Sequence, residues 1–457
     1  MAKAQKNFFI EFSLINIIAF CGAGIIFAFQ YLISIVKELV FYDITFSYFN
    51  LFAYFLVIVF ISIIEYLLIL RKDTIRKKLH IHHYLKTHVQ VLTVIDTLES
   101  IFCCLLTFII AIPLGSEGPS VYIGTMVELF FAHIFLEKKV NLSNSRYGSP
   151  MGYGLAFMNP LAGFFFYFEK KNNRGNTKQI FYQIYLLIVS FLWIVLWKYL
   201  GGTKDFYHYS LYNDDLTFFS NKALLSLIFL IPCITMPLAF VFKRFILRLS
   251  YTVKKNDKTN FYFSTIMALV TVLALKFTKN YSYMGFADEI FLSTDFFTLQ
   301  DALIFLFIRY FWTIFCNDVF YLGGHVIPTF VVGAAIGEVI QAVVENFIPL
   351  TTNDKQMIIV LTALLFFSSV TMSFLTTLAL SFSFGRGWVI LPYLSASIAL
   401  VYAISYTLRL PSLPDMMKKK SRRYQQVHKY LLYFSYAETL SPQRKEELFK
   451  FEQLKKK

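Results

Sequence analysis

The sequence predicts an all-α polytopic membrane protein of two related halves, in which some helices cross only half of the bilayer. Hydrophobic residues make up 57% of the 457 residues and charged residues only 16%, with a mean hydropathy of +0.58. A water-soluble fold would have too few polar side chains for its surface at this composition. The apolar runs are continuous and do not alternate, which excludes a transmembrane barrel. One pattern of glycine and proline also occurs twice along the chain.

Several of the apolar spans are shorter than the roughly 20 residues that a full crossing of the bilayer needs. Short spans interrupted by glycine and proline indicate re-entrant or half-crossing helices, which occur where protein or a water-filled cavity surrounds their ends. The first span lacks a small-residue cleavage site, so we expect it to remain as a helix. The predicted spans are residues 9–38, 46–70, 98–114, 118–136, 150–169, 179–199, 222–248, 261–279, 302–316, 325–345, 356–383 and 388–409.

The segment from Gly115 to Gly124, Gly-Ser-Glu-Gly-Pro-Ser-Val-Tyr-Ile-Gly, carries the strongest functional signal. Pro119 is tolerated in the first turn of a helix, and glycines let the backbone approach a ligand closely. The segment therefore predicts a helix start, which attracts anions because its first N–H groups are unpaired and the helix dipole is positive there. A charge at the centre of a membrane costs roughly 2.5–3.5 kcal/mol, so Glu117 is predicted to be functional.

The same pattern recurs from Gly324 to Gly333, Gly-His-Val-Ile-Pro-Thr-Phe-Val-Val-Gly. In both copies a proline follows the first glycine by four positions, a hydroxyl residue comes next, and a second glycine follows the first by nine. The pattern predicts two related halves, each contributing one helix N-terminus to a shared site, as in many secondary transporters. Chance recurrence is the alternative, because glycine and proline punctuate many loops.

Another helix start is predicted at Asn159-Pro160-Leu-Ala-Gly163, where proline and small residues suit a helix that packs closely on a neighbour. The helix continues to Glu169, which either marks where the chain leaves the bilayer, the favoured interpretation, or belongs to an ion pathway. Other acidic residues in the spans are expected at interfaces or paired with cations; they are Glu65, Asp96, Glu99, Glu128 and Glu338.

The distribution of basic residues predicts the orientation of the chain. Lysines precede the first span, five basic residues fill the loop at 71–78, and the tail after Asp415 is rich in lysine and arginine. The positive-inside rule places all three in the cytoplasm. We interpret the tail, residues 415–457, as a topology signal or an anionic-lipid contact and not as a nucleic-acid-binding segment, and it is too short for a regulatory nucleotide-binding domain.

A metal site is conceivable in the loop at 71–88, which contains His80, His82, His83 and His88. Only Asp73 could join them as an acidic ligand, so a solvated basic loop is the favoured interpretation. We predict no metal and no cofactor. Because neither a His-Glu-x-x-His pair, a nucleophile elbow nor a phosphate-binding loop is present, we do not expect an enzyme.

From about residue 9 to residue 414 the sequence resembles the CLC family of voltage-gated chloride channels and chloride/proton exchangers. Gly115-Ser-Glu-Gly-Pro119 is similar to that family's Gly-Lys/Arg-Glu-Gly-Pro element, whose glutamate is the gate. Asn159-Pro-Leu-Ala-Gly163 and Gly323-Gly-His-Val-Ile-Pro328 are similar to its Asn-Ala-Pro-Leu-Ala-Gly and Gly-Gly-x-Phe-x-Pro elements. The three motifs occur in the family's order and at suitable spacing.

The resemblance implies a CLC-type inverted repeat of tilted and half-crossing helices. It also implies a homodimer in which each subunit has its own anion pathway, formed by the inverted halves, whose helix N-termini surround the ion. Glu117 would be the gate, and Pro328 would mark the second helix start as Pro119 marks the first. The backbone N–H groups of His325 and Val326 would hold a central anion, and those after Gly115 an outer one. The residues expected to contact the anion are Gly115, Ser116, Gly118, Gly324, His325, Val326 and Ile327.

Three departures from the family pattern limit what the resemblance implies. Its Gly-Ser-Gly-Ile-Pro element has no match between Arg71 and Thr93. Its last-helix tyrosine has no clear counterpart, because counting from Pro392 leads to Leu413, and Tyr402 and Tyr406 match only loosely. Lys170 stands where many exchangers have a second, proton-relaying glutamate, one residue after Glu169. A lysine is a poor proton relay at neutral pH unless burial shifts its pKa.

We therefore predict a membrane protein that moves chloride or a similar small anion, gated by Glu117. A passive channel is the main hypothesis, because the missing serine and tyrosine favour a wider inner pathway. Two alternatives remain: a proton-coupled antiporter that uses Glu169 or a water chain, and a degenerate family member that binds anions without passing them.

Overall fold

The computed structural model describes residues 2–41, 115–136, 145–171, 177–199, 218–253, 298–319, 326–383 and 387–413, with isolated positions between 52 and 106 and residue 416. Its long elements are α-helices, labelled here in chain order. They are α1 Ala2–Phe41, α2 Glu117–Leu136, α3 Gly148–Ala156, α4 Pro160–Lys171, α5 Thr177–Tyr199, α6 Leu227–Val253, α7 Leu299–Val319, α8 Val326–Glu345, α9 Thr352–Thr371, α10 Phe374–Leu380 and α11 Gly387–Thr407. Short 3-10 helices cover Lys222–Ser226 and Ser381–Ser383.

Six of the described helices are long and apolar enough to cross a membrane, which confirms the predicted polytopic helical class. The apolar windows are Phe9–Ile35, Gln179–Trp197, Lys222–Arg248, Val326–Glu345, Thr352–Thr371 and Gly387–Thr407. The predicted span 261–279 lies outside the described residues, as do most of 46–70 and 98–114.

Two predicted spans are divided in the structure. The span at 150–169 consists of α3 and α4, and the span at 356–383 consists of α9, α10 and a 3-10 turn. At both divisions a methionine adopts a left-handed backbone conformation, with φ of 49° at Met158 and 56° at Met372. Such a residue ends a helix, but glycine or asparagine is usual there, so apolar methionines gave no sign of the break.

The two halves of the chain share this arrangement. The series α2, α3, α4, α5 and the series α8, α9, α10, α11 each place a left-handed methionine between the second and third helices. The repeated glycines have equivalent roles: a Cβ at Gly124 would lie 2.2 Å from the carbonyl oxygen of Gly148, and one at Gly333 would lie 2.6 Å from Cα of Ala363. Each glycine thus lets the first helix of its series contact the backbone of the second.

The helices α8 and α9 occupy the centre of the larger core, where most side chains from Met357 to Val370 are buried. The smaller core joins α1, α3 and α5. The start of α2 is buried, with Glu117 only 2% exposed, and the first residues of α8, Val326 and Ile327, are partly buried against the larger core.

Glu128 has a different role from the predicted interface or cation pair. Its carboxylate accepts hydrogen bonds from the Ser145 hydroxyl at 2.6 Å and from the backbone N–H groups of Arg146, Tyr147 and Gly148 at 2.9, 3.0 and 2.7 Å. It therefore satisfies the free N–H groups at the start of α3, where a negative charge also complements the helix dipole.

Candidate functional site: two helix starts around Glu117

Glu117 is the first residue of α2, and its side chain reaches the start of α8. Its Oε1 accepts hydrogen bonds from the backbone N–H of Val326 at 2.7 Å and of Ile327 at 3.3 Å. The carboxylate also contacts its own backbone N–H. The residue is only 2% exposed. A buried carboxyl group thus lies between two positive helix ends, which offset part of the cost of burying its charged form.

The second carboxylate oxygen, Oε2, has no hydrogen-bond partner within the described part of the chain. Oε1 is anchored by α8, whereas Oε2 remains free to accept a proton. Burial disfavours the charged form of such a group and backbone N–H donors favour it. The site therefore holds a carboxylate whose two charge states are stabilised by opposing effects.

Gly115 makes room for this carboxylate. A Cβ at position 115 would lie 1.7 Å from Oε2 and 2.3 Å from Oε1 of Glu117, and all three of its nearest atoms belong to that side chain. The carboxyl group is therefore folded over the bare backbone of Gly115. Any larger residue would have to displace it.

A buried amide supports the start of α2 from the neighbouring helix. The Gln30 side chain, on α1, donates to the hydroxyls of Ser116 at 3.2 Å and Ser120 at 3.1 Å. The Ser120 hydroxyl in turn donates to the carbonyl oxygen of Ser116 at 2.9 Å. Sequence reasoning missed Gln30, and the only available signal was an amide inside an otherwise apolar span.

The other helix-start residues occupy the positions that the sequence indicated. Pro119 lies in the first turn of α2 and Pro328 in the first turn of α8. The Asn159 side chain accepts from the N–H of Ala162 at 3.1 Å, which makes it the cap of α4 immediately before Pro160. Gly163 packs on α3, since a Cβ there would lie 2.2 Å from the carbonyl oxygen of Pro150.

Some candidate positions lie elsewhere or outside the described residues. Gly324, His325 and the loop at 71–93 are among the residues that are not described. Leu413 is buried, at 3% exposure, in the larger core. Tyr402 and Tyr406 are 53% and 76% exposed on α11, which places their side chains on the outside of the protein and away from Glu117.

Glu169 is bound at the start of α10. Its Oε1 accepts from the N–H of Leu375 at 2.5 Å, and its Oε2 accepts from the N–H and the hydroxyl of Thr376 at 3.1 and 2.5 Å. The neighbouring residue, Lys170, has no described side-chain placement. Glu169 therefore turns toward a helix of the second half, as Glu117 does, and does not simply mark an exit into solvent.

The fold and this geometry define a polytopic helical membrane protein in which two helix starts converge on one anionic group. Comparison with known proteins specifies the class further. A family model described as "Voltage gated chloride channel" matches residues 56–406. A search of curated proteins finds no match.

Solved structures share the fold. A slow cyanobacterial Cl⁻/H⁺ antiporter aligns with a TM-score of 0.73 at 11% identity, over 91% of this chain and 98% of its own. A CLC-type fluoride/proton antiporter aligns with a TM-score of 0.64 at 16% identity, over 86% of this chain and 94% of its own. A eukaryotic CLC transporter aligns with a TM-score of 0.65 at 14% identity, over 89% of this chain and 73% of its own. The chain belongs to the voltage-gated chloride channel (CLC) family, whose members move anions across membranes.

Proposed function

We propose that this protein is a proton-coupled anion antiporter in which the Glu117 carboxylate and chloride alternate at one site. The observation that carries the proposal is the pair of hydrogen bonds from Val326 and Ile327 to Glu117 Oε1. Backbone N–H groups at a helix start are the donors that a halide ion needs, and here a carboxylate already uses them.

The exchange follows from the charge of Glu117. When ionised, its carboxylate occupies the donors of α8 and excludes a second anion, because like charges do not share a site. When a proton binds, the charge is lost, the charge-assisted hydrogen bonds weaken, and chloride can replace the side chain. One proton is thereby taken up for each anion admitted, which is a basis for coupling.

Exchange is favoured over the passive channel for two reasons. Glu169, on α4, is a second carboxylate and binds the start of α10, so protons released from Glu117 have an acceptor within the protein. Two of the three aligned structures are of antiporters that couple a halide to protons. The glutamate-gated channel remains the alternative that the experiment below tests.

Reversal potential in liposomes containing the purified protein distinguishes the two. We expect the potential to follow both the chloride and the proton gradient, and we expect Glu117→Gln to abolish the proton dependence while chloride flux continues at all pH values. Glu345→Gln is the matched control, because Glu345 ends the same helix α8, is 44% exposed and pairs with Lys355. A wild-type potential that follows chloride alone would establish a channel. Fluoride in place of chloride tests anion selectivity.

We further propose that the protein is a homodimer in a cell membrane, with both termini in the cytoplasm. Residues 1–414 would form the transport domain, and residues 415–457 a basic tail that contacts anionic lipid. The family resemblance supports the dimer, and the positive-inside rule supports the orientation. On α5 an apolar stripe at helical spacing is exposed to lipid or to a second subunit; it comprises Phe181, Ile184, Ile188, Phe191 and Val195. The mass of the detergent-solubilised protein, corrected for bound detergent, tests the dimer.

A further inference from the structure

Tyr153, on α3, has a buried hydroxyl that neither the fold nor the proposed anion site explains. The residue is 3% exposed, and its hydroxyl oxygen has no hydrogen-bond partner among the described residues. Buried polar groups in native proteins nearly always have a partner, from the protein or from ordered water. A phenolic hydroxyl can both donate and accept, so it can join two hydrogen-bonded neighbours.

Packing places Tyr153 between the elements that carry the two carboxylates. Its ring stacks on Phe166 of α4, with centroids 4.3 Å apart and parallel planes, and Phe166 precedes Glu169 by three residues, one helical turn. On the other side α3 contacts the first turn of α2, since a Cβ at Gly152 would lie 2.3 Å from the carbonyl oxygen of Ser120. Tyr153 therefore lies on the helix between the start of α2 and the helix that carries Glu169.

The acidic residues near Tyr153 support the same placement. Within the described part of the chain, Glu117 and Glu169 are the acidic residues that lie within electrostatic range of the Tyr153 hydroxyl. Its other close ring neighbour is Phe157, with centroids 5.0 Å apart, so the ring surroundings are apolar. A single polar atom in apolar surroundings, within electrostatic range of two acids, is the arrangement expected of a fixed point in a chain of hydrogen bonds.

We propose that the Tyr153 hydroxyl is a relay point for protons that move between Glu117 and Glu169, with water molecules completing the chain on either side. The inference rests on the proposed antiport. In each transfer the hydroxyl oxygen accepts one proton from the donor side while its own proton passes to the acceptor side. The phenol is neutral before and after, and one proton leaves the first carboxylic acid for each proton that reaches the second carboxylate. The route therefore needs no charged tyrosine in an apolar environment.

The test compares Tyr153→Phe with Tyr310→Phe in reconstituted liposomes. Tyr153→Phe removes only the hydroxyl and keeps the ring that stacks on Phe166. Tyr310→Phe is a matched control, because it removes a buried hydroxyl that donates to the carbonyl oxygen of Leu238 at 2.8 Å, in the core around α6 and α7. Proton and chloride fluxes are measured together under a chloride gradient, and thermal unfolding reports the stability of each variant.

We expect Tyr153→Phe to lower the ratio of proton flux to chloride flux by about a hundredfold, since a positioned proton-transfer group is lost. Chloride flux through the Glu117→Gln variant needs no proton. It should therefore be the same in Glu117→Gln alone and in the double variant with Tyr153→Phe. Equal proton-to-chloride ratios in wild type and Tyr153→Phe would overturn the relay while leaving antiport intact. A wild type that moves chloride without protons would overturn both. If Tyr153→Phe lost both fluxes together by about tenfold, or if Tyr310→Phe changed the proton-to-chloride ratio equally, Tyr153 would have a structural role and the relay would also be overturned.

Discussion

Gly115→Ala is the substitution that most directly tests whether carboxylate and chloride compete. The added Cβ would lie 1.7 Å from Glu117 Oε2, a distance that no pair of nonbonded heavy atoms adopts. The φ angle at Gly115 is in a range that alanine adopts, so the backbone itself accepts the change. Because all three nearest atoms are the Glu117 carboxyl group, the side chain must rotate away from Val326 and Ile327.

The size of the effect follows from the two lost hydrogen bonds. Each bond to a charged acceptor is worth about 1.5–3 kcal/mol, and the bond at 3.3 Å belongs at or below the lower end of that range. Allowing for partial rehydration of the displaced carboxylate, we take the net loss as about 2 kcal/mol, which corresponds to about 30-fold in an equilibrium constant. The apparent dissociation constant for chloride should fall by about that factor wherever Glu117 is ionised.

Calorimetric titration of the detergent-solubilised protein with chloride measures this change. The gain should be full at alkaline pH, decrease as pH falls, and disappear in acid, because a protonated Glu117 does not compete with chloride in either protein. Gly24→Ala is the control, since a Cβ at Gly24 of α1 has no atom within 4 Å. Chloride affinity that is unchanged in Gly115→Ala at alkaline pH would refute competition at the start of α8. The double variant Gly115→Ala with Glu117→Ala should bind chloride as Glu117→Ala alone does, because the clash is then absent.

Two further predictions concern the framework around the site. Glu128→Gln should lower the free energy of unfolding by about 2 kcal/mol, because a charged acceptor of several N–H groups at the start of α3 becomes neutral; thermal unfolding measures the loss, and an unchanged midpoint would contradict the capping role. Gly333→Ala should destabilise the protein by about 1–3 kcal/mol, since its Cβ would lie 2.6 Å from Cα of Ala363 and overpack the contact of α8 with α9. The same measurement applies, and a gain in stability would show that the contact is not tight.

Much of the architecture could be predicted because its signals are local. Continuous apolar runs predicted the membrane-spanning class, and the repeated glycine and proline pattern predicted two helix starts in related halves. The structure brings the first start to the second through Glu117 and the N–H of Val326. Whether that pair holds an anion remains a prediction, because the geometry describes a carboxylate in the position and the flux measurements are the test.

The missed features depend on long-range packing. Gln30 and Ser116 are 86 positions apart, and Glu169 and Thr376 are 207 apart, so neither pair has a sequence signal. The breaks at Met158 and Met372 were missed for another reason. Methionine has no intrinsic preference for the left-handed conformation, and tertiary packing imposes it there.

Both carboxylates of the proposed pathway belong to the first half of the chain and bind helix starts of the second half. Glu117 binds the start of α8, and Glu169 binds the start of α10. Asn159 adds a contact of the same kind, because its amide donates to the carbonyl oxygen of Ala379 at 2.7 Å and to the Ser383 hydroxyl at 2.9 Å. Protonating either carboxylate weakens charge-assisted bonds between the halves, whereas the neutral Asn159 contact does not titrate. At any moment, the ionised carboxylate would make the stronger contact between the halves. Movement of a proton from one carboxylate to the other would therefore weaken the contact at the second and strengthen the contact at the first. The Asn159 contact would hold α4 against α10 throughout.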